Sequence, residues 1–542
     1  MVPSITARYV RYPNPPVCIQ GAPVPVRLLR EITGMNSGKI PGICYSKRAR
    51  RKQKNQYMRS QILLFSAGLM LLAACNSRSG ESTNTDLPNI VILLADDLGY
   101  GDLSCYGGTA RTPNLDQLAR EGMRFTDFYA AAPNCSPSRV GLLTGRSPSM
   151  VGMYNYLAEN HPMHLPAEEI TIAEILQEKG YACGHFGKWH VSCLPQNPEL
   201  NQPQPHDQGF DHSLGTGNNA QPSHLDPVNF VRNGQELGKV AGYSCDIVVE
   251  EAINWMDTLP ADPSPFLMYV AFHEPHKKVA SPPDLTAQYG EFPKADAEYF
   301  ANIENMDRAI GRLLQTLQDK GLDENTLILF ASDNGSYRNG SNGPLLGGKS
   351  FVYEGGIRVP GILRWKGRIE GGQTVSEPAG LIDIMPTICE LSGQSHPRTN
   401  TLDGTSLVPL INGQTLERTR PLSWFFYRTS PEIAMRIGDY TILGRDLDTT
   451  RHTHPTTQPD MDYIKSMDLE DFELYNLTHD IGQQQNIDYT SLDMGKQYRQ
   501  QLVDRLQDIQ AKGPYWENLP PATGNQKLKS EWRKLHPEGF SN

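Results

Sequence analysis

Thirteen residues, Asn134 to Arg146 (NCSPSRVGLLTGR), hold a cysteine, a proline and two arginines in a spacing that can do chemistry. Pro137 suits the first turn of a helix, because its missing N–H would go unpaired there anyway. A helix running on through Val140, Leu142 and Leu143 puts Cys135 at or just before its N-terminus, where free amides and aligned dipoles favour negative charge. Arg139 adds a fixed cation whose forked donors match a tetrahedral oxyanion. Together these make a nucleophile beside an anion cradle. The plainer reading is a buried free cysteine at a helix start.

Other reactive side chains collect where apolar runs stop. NIVILLADD (Asn89–Asp97) is a β-branched run closed by Asp96 and Asp97, and PFLMYVAFHEPH (Pro265–His276) ends with His273 and His276. TLILFASDNG (Thr326–Gly335) ends with Asp333 and Asn334. Such continuous runs predict strands buried on both faces. Helical patterns fall between them, over Thr112–Gly122, Thr171–Gly180 and Ala297–Gly321. The alternation predicts an α/β fold with a large, mostly parallel sheet, whose ligands gather beyond the C-terminal strand ends. Past about residue 420 the texture changes to SWFFYR, IAMRIGDYTILG and FELYNLT, then a helix over Gly495–Lys512. A smaller C-terminal α+β domain of antiparallel sheet plus helix is predicted there, giving bounds of 86–420 and 421–542.

The chain resembles the type I sulfatases, members of the alkaline-phosphatase superfamily. Cys135, Pro137, Ser138, Arg139, Leu142, Leu143, Thr144, Gly145 and Arg146 match that family's signature without a gap. The resemblance implies an alkaline-phosphatase-like fold and oxidation of Cys135 to formylglycine by a formylglycine-generating enzyme. It also implies a divalent cation held by Asp96, Asp97, Asp333 and Asn334 together with the modified Cys135; four oxygen-bearing side chains suit calcium. ADD alone is equally a solvated loop or a helix cap. Gly184–His190 (GHFGKWH) brings in Lys188 and His190, Phe272–Val279 (FHEPHKKV) brings in His276, and Gly347–Pro360 brings in Lys349. His273 is balanced between substrate binding and structure, and Glu354 with Arg358 reads as a structural ion pair. Two departures stand out: Val191-Ser192-Cys193 replaces the frequent Leu-Gly, and Lys278 stands where relatives often carry proline.

The chemistry so implied is cleavage of a sulfate ester. The cation, Arg139, Lys188 and Lys349 neutralise the sulfate oxygens. One hydroxyl of the hydrated aldehyde attacks sulfur, and His276 with Lys349 assists the leaving alcohol. His190 takes the proton of the second hydroxyl, expelling sulfate. A phosphate- or phosphonate-ester hydrolase and a non-catalytic glycan-binding lipoprotein are the competing readings. The polar stretch Gln202–His224 could meet sugar hydroxyls through His212, Asn218 and His224. The expected substrate is a sulfated carbohydrate of mucin or glycosaminoglycan type, with galactose or N-acetylgalactosamine sulfate favoured.

The ends of the chain bear on location. MRSQILLFSAGLMLLAACNS, from Met58, has a charged start, a short apolar run and small residues before Cys75, which predicts a lipoprotein signal over 58–75 and lipidation of Cys75. Residues 1–57 are expected to lie upstream of the working start, and 76–85 reads as a polar tether. An exported bacterial lipoprotein follows, periplasmic or at the cell surface, meeting the membrane through its anchor alone. The net charge is −10; residues 1–74 carry twelve Lys/Arg against one acid, Glu31, which leaves about −21 on the remainder. Such a body is expected to repel nucleic acid. Six cysteines follow Cys75, and Cys183 with Cys193 could pair.

Overall fold

A computed structural model describes residues 87–260, 264–427, 431–446 and 456–520. The expectations for Met58, Cys75 and the tether fall outside the described residues. In chain order the strands are β1 (Asn89–Asp96), β2 (Met123–Phe125), β3 (Phe128–Tyr129), β4 (Ala182–Lys188), β5 (His212–Thr216), β6 (Val231–Arg232), β7 (Gln235–Glu236) and β8 (Phe266–Pro275). There follow β9 (Thr326–Ser332), β10 (Gly361–Trp365), β11 (Gln373–Val375), β12 (Ala379–Gly380), β13 (Leu422–Tyr427), β14 (Pro431–Ile437), β15 (Tyr440–Arg445) and β16 (Asp471–Asn476). The helices used below are α1 (Pro113–Glu121), α2 (Cys135–Thr144), α3 (Ile172–Gln177), α4 (Ser244–Asp257), α5 (Lys294–Asp319), α6 (Ile384–Ser392) and α7 (Asp493–Lys512).

The large sheet runs β11-β2-β10-β9-β1-β8-β4-β5-β6-β7. Its middle five strands, β9-β1-β8-β4-β5, are all parallel, and β10 joins β9 antiparallel. Side chains of β1 explain the two-sided cover. Ile90, Ile92 and Leu94 pack with α2, α3 and α6, whereas Val91, Leu93 and Ala95 pack with α1, α4 and α5. Because the five strands point one way, Asp96, Lys188, His273 and Ser332 reach the same edge of the sheet.

The second sheet, β13-β14-β15-β16, is antiparallel throughout. Leu502, Leu506 and Ile509 of α7 cover it. The Trp424 indole donates to the Ala130 carbonyl (2.8 Å) and lies against the Tyr129 ring, so this sheet shares one apolar cluster with the α2 side of the large one. The structure closes two points that the sequence left open. Within the polar stretch 202–224 runs the strand β5. Cys183 and Cys193 do not pair: all six cysteines of the described residues are free thiols.

Candidate active site

Cys135 is the first residue of α2. Asn134 caps the helix in an extended conformation, its side-chain oxygen accepting the Cys135 N–H (2.9 Å). The helix ends at Gly145, whose left-handed backbone returns its N–H to the Gly141 carbonyl. The thiol therefore projects from a helix start onto the C-terminal edge of the parallel strands.

Three acids and three cations surround it. Lys349 Nζ lies 3.2 Å from Cys135 Sγ and 2.6 and 2.8 Å from the two oxygens of Asp97. Arg139 gives two nitrogens to Asp333 Oδ2 (3.0 and 2.7 Å) and a third to the Lys188 carbonyl (2.8 Å). Lys188 Nζ donates to Asp96 Oδ2 (2.7 Å). Asn334 Nδ2 donates to Asp97 Oδ1 (2.8 Å), and Asp97 N–H donates to Asp333 Oδ1 (3.2 Å). All of these side chains are buried except that of Lys349, which is partly buried.

Backbone geometry holds these side chains over the strand ends. Asp97 and His190 have left-handed backbones, φ 64° and 54°, uncommon for residues with a Cβ and strained enough to need a well-packed frame. Gly187 takes φ 111°, and a Cβ there would sit 1.9 Å from the Ala271 carbonyl of the neighbouring strand. That is why glycine precedes Lys188. Gly335, after Asn334, lets the chain come so near the Gly355 carbonyl that a Cβ would lie 1.8 Å from it.

Electrostatics follow from burial and these contacts. Burial would raise Asp96, but Lys188, His276 and Arg139 hold its carboxyl well below the usual range. Asp97 is lowered too, Lys349 and His276 overcoming its burial. Asp333 goes the other way, pushed up to about 7 by burial and the neighbouring Asp96. Burial drives the Cys135 thiol up to about 12, so the unmodified sulfur is a poor nucleophile at neutral pH. Burial also lowers His190, helped by the Lys188 charge, and takes His276 down to about 4.

A cation fits this donor set. The ligating atoms of Asp96, Asp97, Cys135 and Asp333 lie within 4.8 Å of one another. Asp96 Oδ1 and Asn334 Oδ1 are buried without a hydrogen-bond partner, and oxygens are what a hard divalent ion binds.

Comparison with known proteins gives the family. Residues 88–394 match the family described as Sulfatase, and residues 346–512 match the family described as N-sulphoglucosamine sulphohydrolase, C-terminal. The chain belongs to the sulfatase family. Human arylsulfatase A is 36% identical over 437 residues, 74% of this chain and 83% of that protein. The dog N-acetylgalactosamine-6-sulfatase is 34% identical over 408 residues, 68% of this chain and 74% of that one. Among solved structures, Ps i-CgsB in complex with k-i-k-neocarrahexaose superposes with a TM-score of 0.68 at 26% identity, covering 83% of this chain and 98% of that one. The protein is a sulfuric ester hydrolase, and its fold is the large mixed sheet with a small antiparallel sheet that its structural neighbours share.

Not every residue singled out in the sequence of this sulfatase reaches the cluster. Cys135, Arg139, Lys188, Lys349, Asp96, Asp97, Asp333 and Asn334 do, and His276 Nε2 lies 3.4 Å from Asp97 Oδ2. His190 donates Nε2–H to the Leu157 carbonyl (3.0 Å). His212 is at the opposite, N-terminal end of β5, bonded to Glu251 (2.9 Å), so it cannot meet a substrate held at the acid cluster. His224 is wholly buried against Asn302 and Glu274, and His273 is buried with Nε2 on the Thr216 hydroxyl (2.8 Å). Neither presents a face to solvent. Asn218 lines a cavity that it shares with His190. Glu354 and Arg358 form the expected ion pair (3.2 Å), joined by Tyr129 and Asp127. Sequence reasoning missed Leu157, whose N–H donates to Ser136 Oγ (2.9 Å) beside Cys135 while its carbonyl receives His190. A backbone contact leaves no side-chain signature to read.

Proposed function

We propose that this sulfatase acts on a sulfated carbohydrate through a formylglycine made from Cys135 and a calcium ion held by Asp96, Asp97, Asp333 and Asn334. The observation that carries the reading is Cys135 Sγ at 3.2 Å from Lys349 Nζ within the cluster of three acids and three cations. The hydrate of the aldehyde supplies two geminal hydroxyls, one to attack sulfur and one whose ionisation expels sulfate. Calcium supplies the positive charge that the chain lacks: three ionised acids and three cations cancel, and a bound divalent ion leaves a net attraction for an anionic ester.

The residues of the chain do the rest. Arg139, held by Asp333 and the Lys188 carbonyl, is a fixed cation that costs no reorganisation when charge develops on the sulfate oxygens. Lys188 and Lys349 flank the same position. His190 gives its Nε2 proton to Leu157, so Nδ1 carries the lone pair and serves as the proton acceptor. His276 donates Nδ1–H to the Lys277 carbonyl (2.7 Å), which leaves Nε2 toward Asp97 and the leaving oxygen. An anionic ester bound beside it raises its proton affinity from the resting value near 4.

Galactose or N-acetylgalactosamine sulfates are the favoured substrates, in keeping with the name of the dog relative. The protein acts as an exported lipoprotein anchored through Cys75, with residues 86–420 and 421–542 as catalytic and C-terminal parts, after maturation by a formylglycine-generating enzyme. The test is sulfate release from a panel of sulfated sugars by protein co-expressed with that enzyme. Release that disappears in Cys135→Ala, with an aldehyde at position 135 in the mass spectrum, is expected. Faster cleavage of the phosphate ester of the same alcohol would overturn it.

A further inference from the structure

Beside the acid cluster lies a cavity of about 380 Å³, and His190 forms part of its wall. The other walls come from three separate segments: 157–161, 192–197 and 217–229. Its polar lining is mostly amide, seven Asn and Gln side chains that include Asn160, Asn197, Asn218 and Gln221, with Ser192 and the neutral ring of His161 beside them. Among the described residues no lysine or arginine lines it, and its one carboxylate is Glu159. The cations nearest in the chemistry, Arg139, Lys188 and Lys349, are all engaged by Asp333, Asp96 and Asp97 at the reacting end.

Several of these amides are available. The side chains of Asn218 and Gln221 have no hydrogen-bond partner among the described residues, and Asn219 Oδ1 is buried without one. The loop that bears them is nonetheless held in place. The Thr216 hydroxyl donates to the Asn218 carbonyl (2.7 Å) and accepts from His273 Nε2 (2.8 Å), while Asn229 Nδ2 donates to the Asn219 carbonyl (2.9 Å). His273 thus holds, through Thr216, the loop that forms this wall, from behind it.

An amide offers a donor and an acceptor side by side, which suits the hydroxyls and acetamido groups of a sugar. A second sulfate or a uronate carboxylate loses its hydration on entry and is best compensated by arginine or lysine; in this cavity it would meet neither, with Glu159 adding repulsion. We infer that the cavity beside His190 is a subsite for an uncharged sugar unit, so that the enzyme selects glycans carrying a single sulfate at the reacting position and discriminates against a second anionic group. The inference rests on the sulfatase reading above and narrows its substrate class.

Cys193, a half-exposed thiol in the same wall, provides a readout that does not depend on turnover. In Cys135→Ala protein, alkylation of Cys193 by iodoacetamide is followed by peptide mass spectrometry in the presence of galactose 6-sulfate, N-acetylgalactosamine 6-sulfate, or N-acetylgalactosamine 4,6-disulfate. The monosulfated sugars should protect Cys193 at concentrations at least about tenfold lower than the disulfate. Asn218→Arg should narrow or reverse that ratio, and Glu159→Gln should narrow it less. Equal or better protection by the disulfate, or no change with Asn218→Arg, overturns the inference. If no sugar protects Cys193 while matured protein still cleaves an aryl sulfate, the subsite falls and the sulfatase chemistry stands. If protection is seen but matured protein releases no sulfate from any ester, the subsite stands and the catalytic reading falls.

Discussion

His190 gives its Nε2 proton to the carbonyl of Leu157, and this bond fixes which ring nitrogen can accept a proton. Nδ1 is buried, unpartnered and unprotonated, and both burial and the Lys188 charge keep the ring neutral. His190→Asn preserves the left-handed backbone while removing the base, so kcat should fall by about 10²–10⁴. Alcohol release should outrun sulfate release in this variant during the first turnover. Because the shift is downward from 6.5, protonation of His190 should not reduce kcat between pH 8 and about 6. A pH profile of kcat with an acid limb centred near 6.5 would assign that limb, and the base, to another group.

Calcium should raise the stability of the protein, and Asp97 should be the residue that couples the two. At a hundred times its Kd, a ligand binding only the folded state adds about 2.7 kcal/mol. Asp97→Asn is the informative change, since asparagine tolerates φ 64° and removes only the charge. Thermal unfolding at increasing calcium should show a rising Tm in the parent and a much weaker rise in the variant. An equal rise in both would place the ion elsewhere.

Glu354 ties the two sheets through buried charge. It accepts from Thr441 of β15 (3.4 Å), from Tyr129 (2.9 Å) and from Arg358 (3.2 Å), and Arg358 also reaches Asp127 (2.8 Å). Glu354→Ala leaves a buried guanidinium short of a partner and should cost about 3–5 kcal/mol. Glu354→Gln, which keeps an acceptor, should cost less. Urea midpoints compared at constant m would separate the two, and a loss under about 1 kcal/mol for the alanine variant would show that the pair contributes little.

His185 should make the protein acid-sensitive. Its ring is packed among Trp189, Phe210 and Tyr269, and burial lowers its pKa to about 3. The unfolded chain takes up a proton near 6.5 that the folded protein refuses. Stability is therefore complete above 6.5 and drains as pH falls toward 3, at about 1.4 kcal/mol per pH unit for one proton. His185→Phe should flatten the dependence of unfolding free energy on pH between 6 and 4. An unchanged slope would assign it to the buried histidines of the site instead.

The parts of the molecule that the sequence declares are those with a period or a fixed spacing. β1, β8 and β9 are continuous apolar runs closed by polar residues, and α2 follows from a proline at its first turn. Those features put Asp96, Asp97, His273, His276, Asp333 and Asn334 at strand ends and Cys135 at a helix start, and the resemblance to the sulfatases joined them into one site. β5 was hidden because HSLGT is short and sits among Gln, Asn and His, and this sent His212 to the wrong end of a strand. Burial of His224 and His273 depends on partners, Asn302 and Thr216, far off in the chain. The amide-lined cavity draws on three segments, none of which has a pattern by itself.

The ion pair of Lys188 with Asp96 spans 92 residues, and that of Lys349 with Asp97 spans 252. The partners arrive from segments far apart in the chain, so no fragment shorter than residues 96–349 contains the site. Long-range pairing of this kind is slow, since the loop must close before any contact rewards it. Turnover is thus a late report on chain assembly: during synthesis the last of these elements, the segment bearing Lys349, must emerge before any part of the chain can become an enzyme.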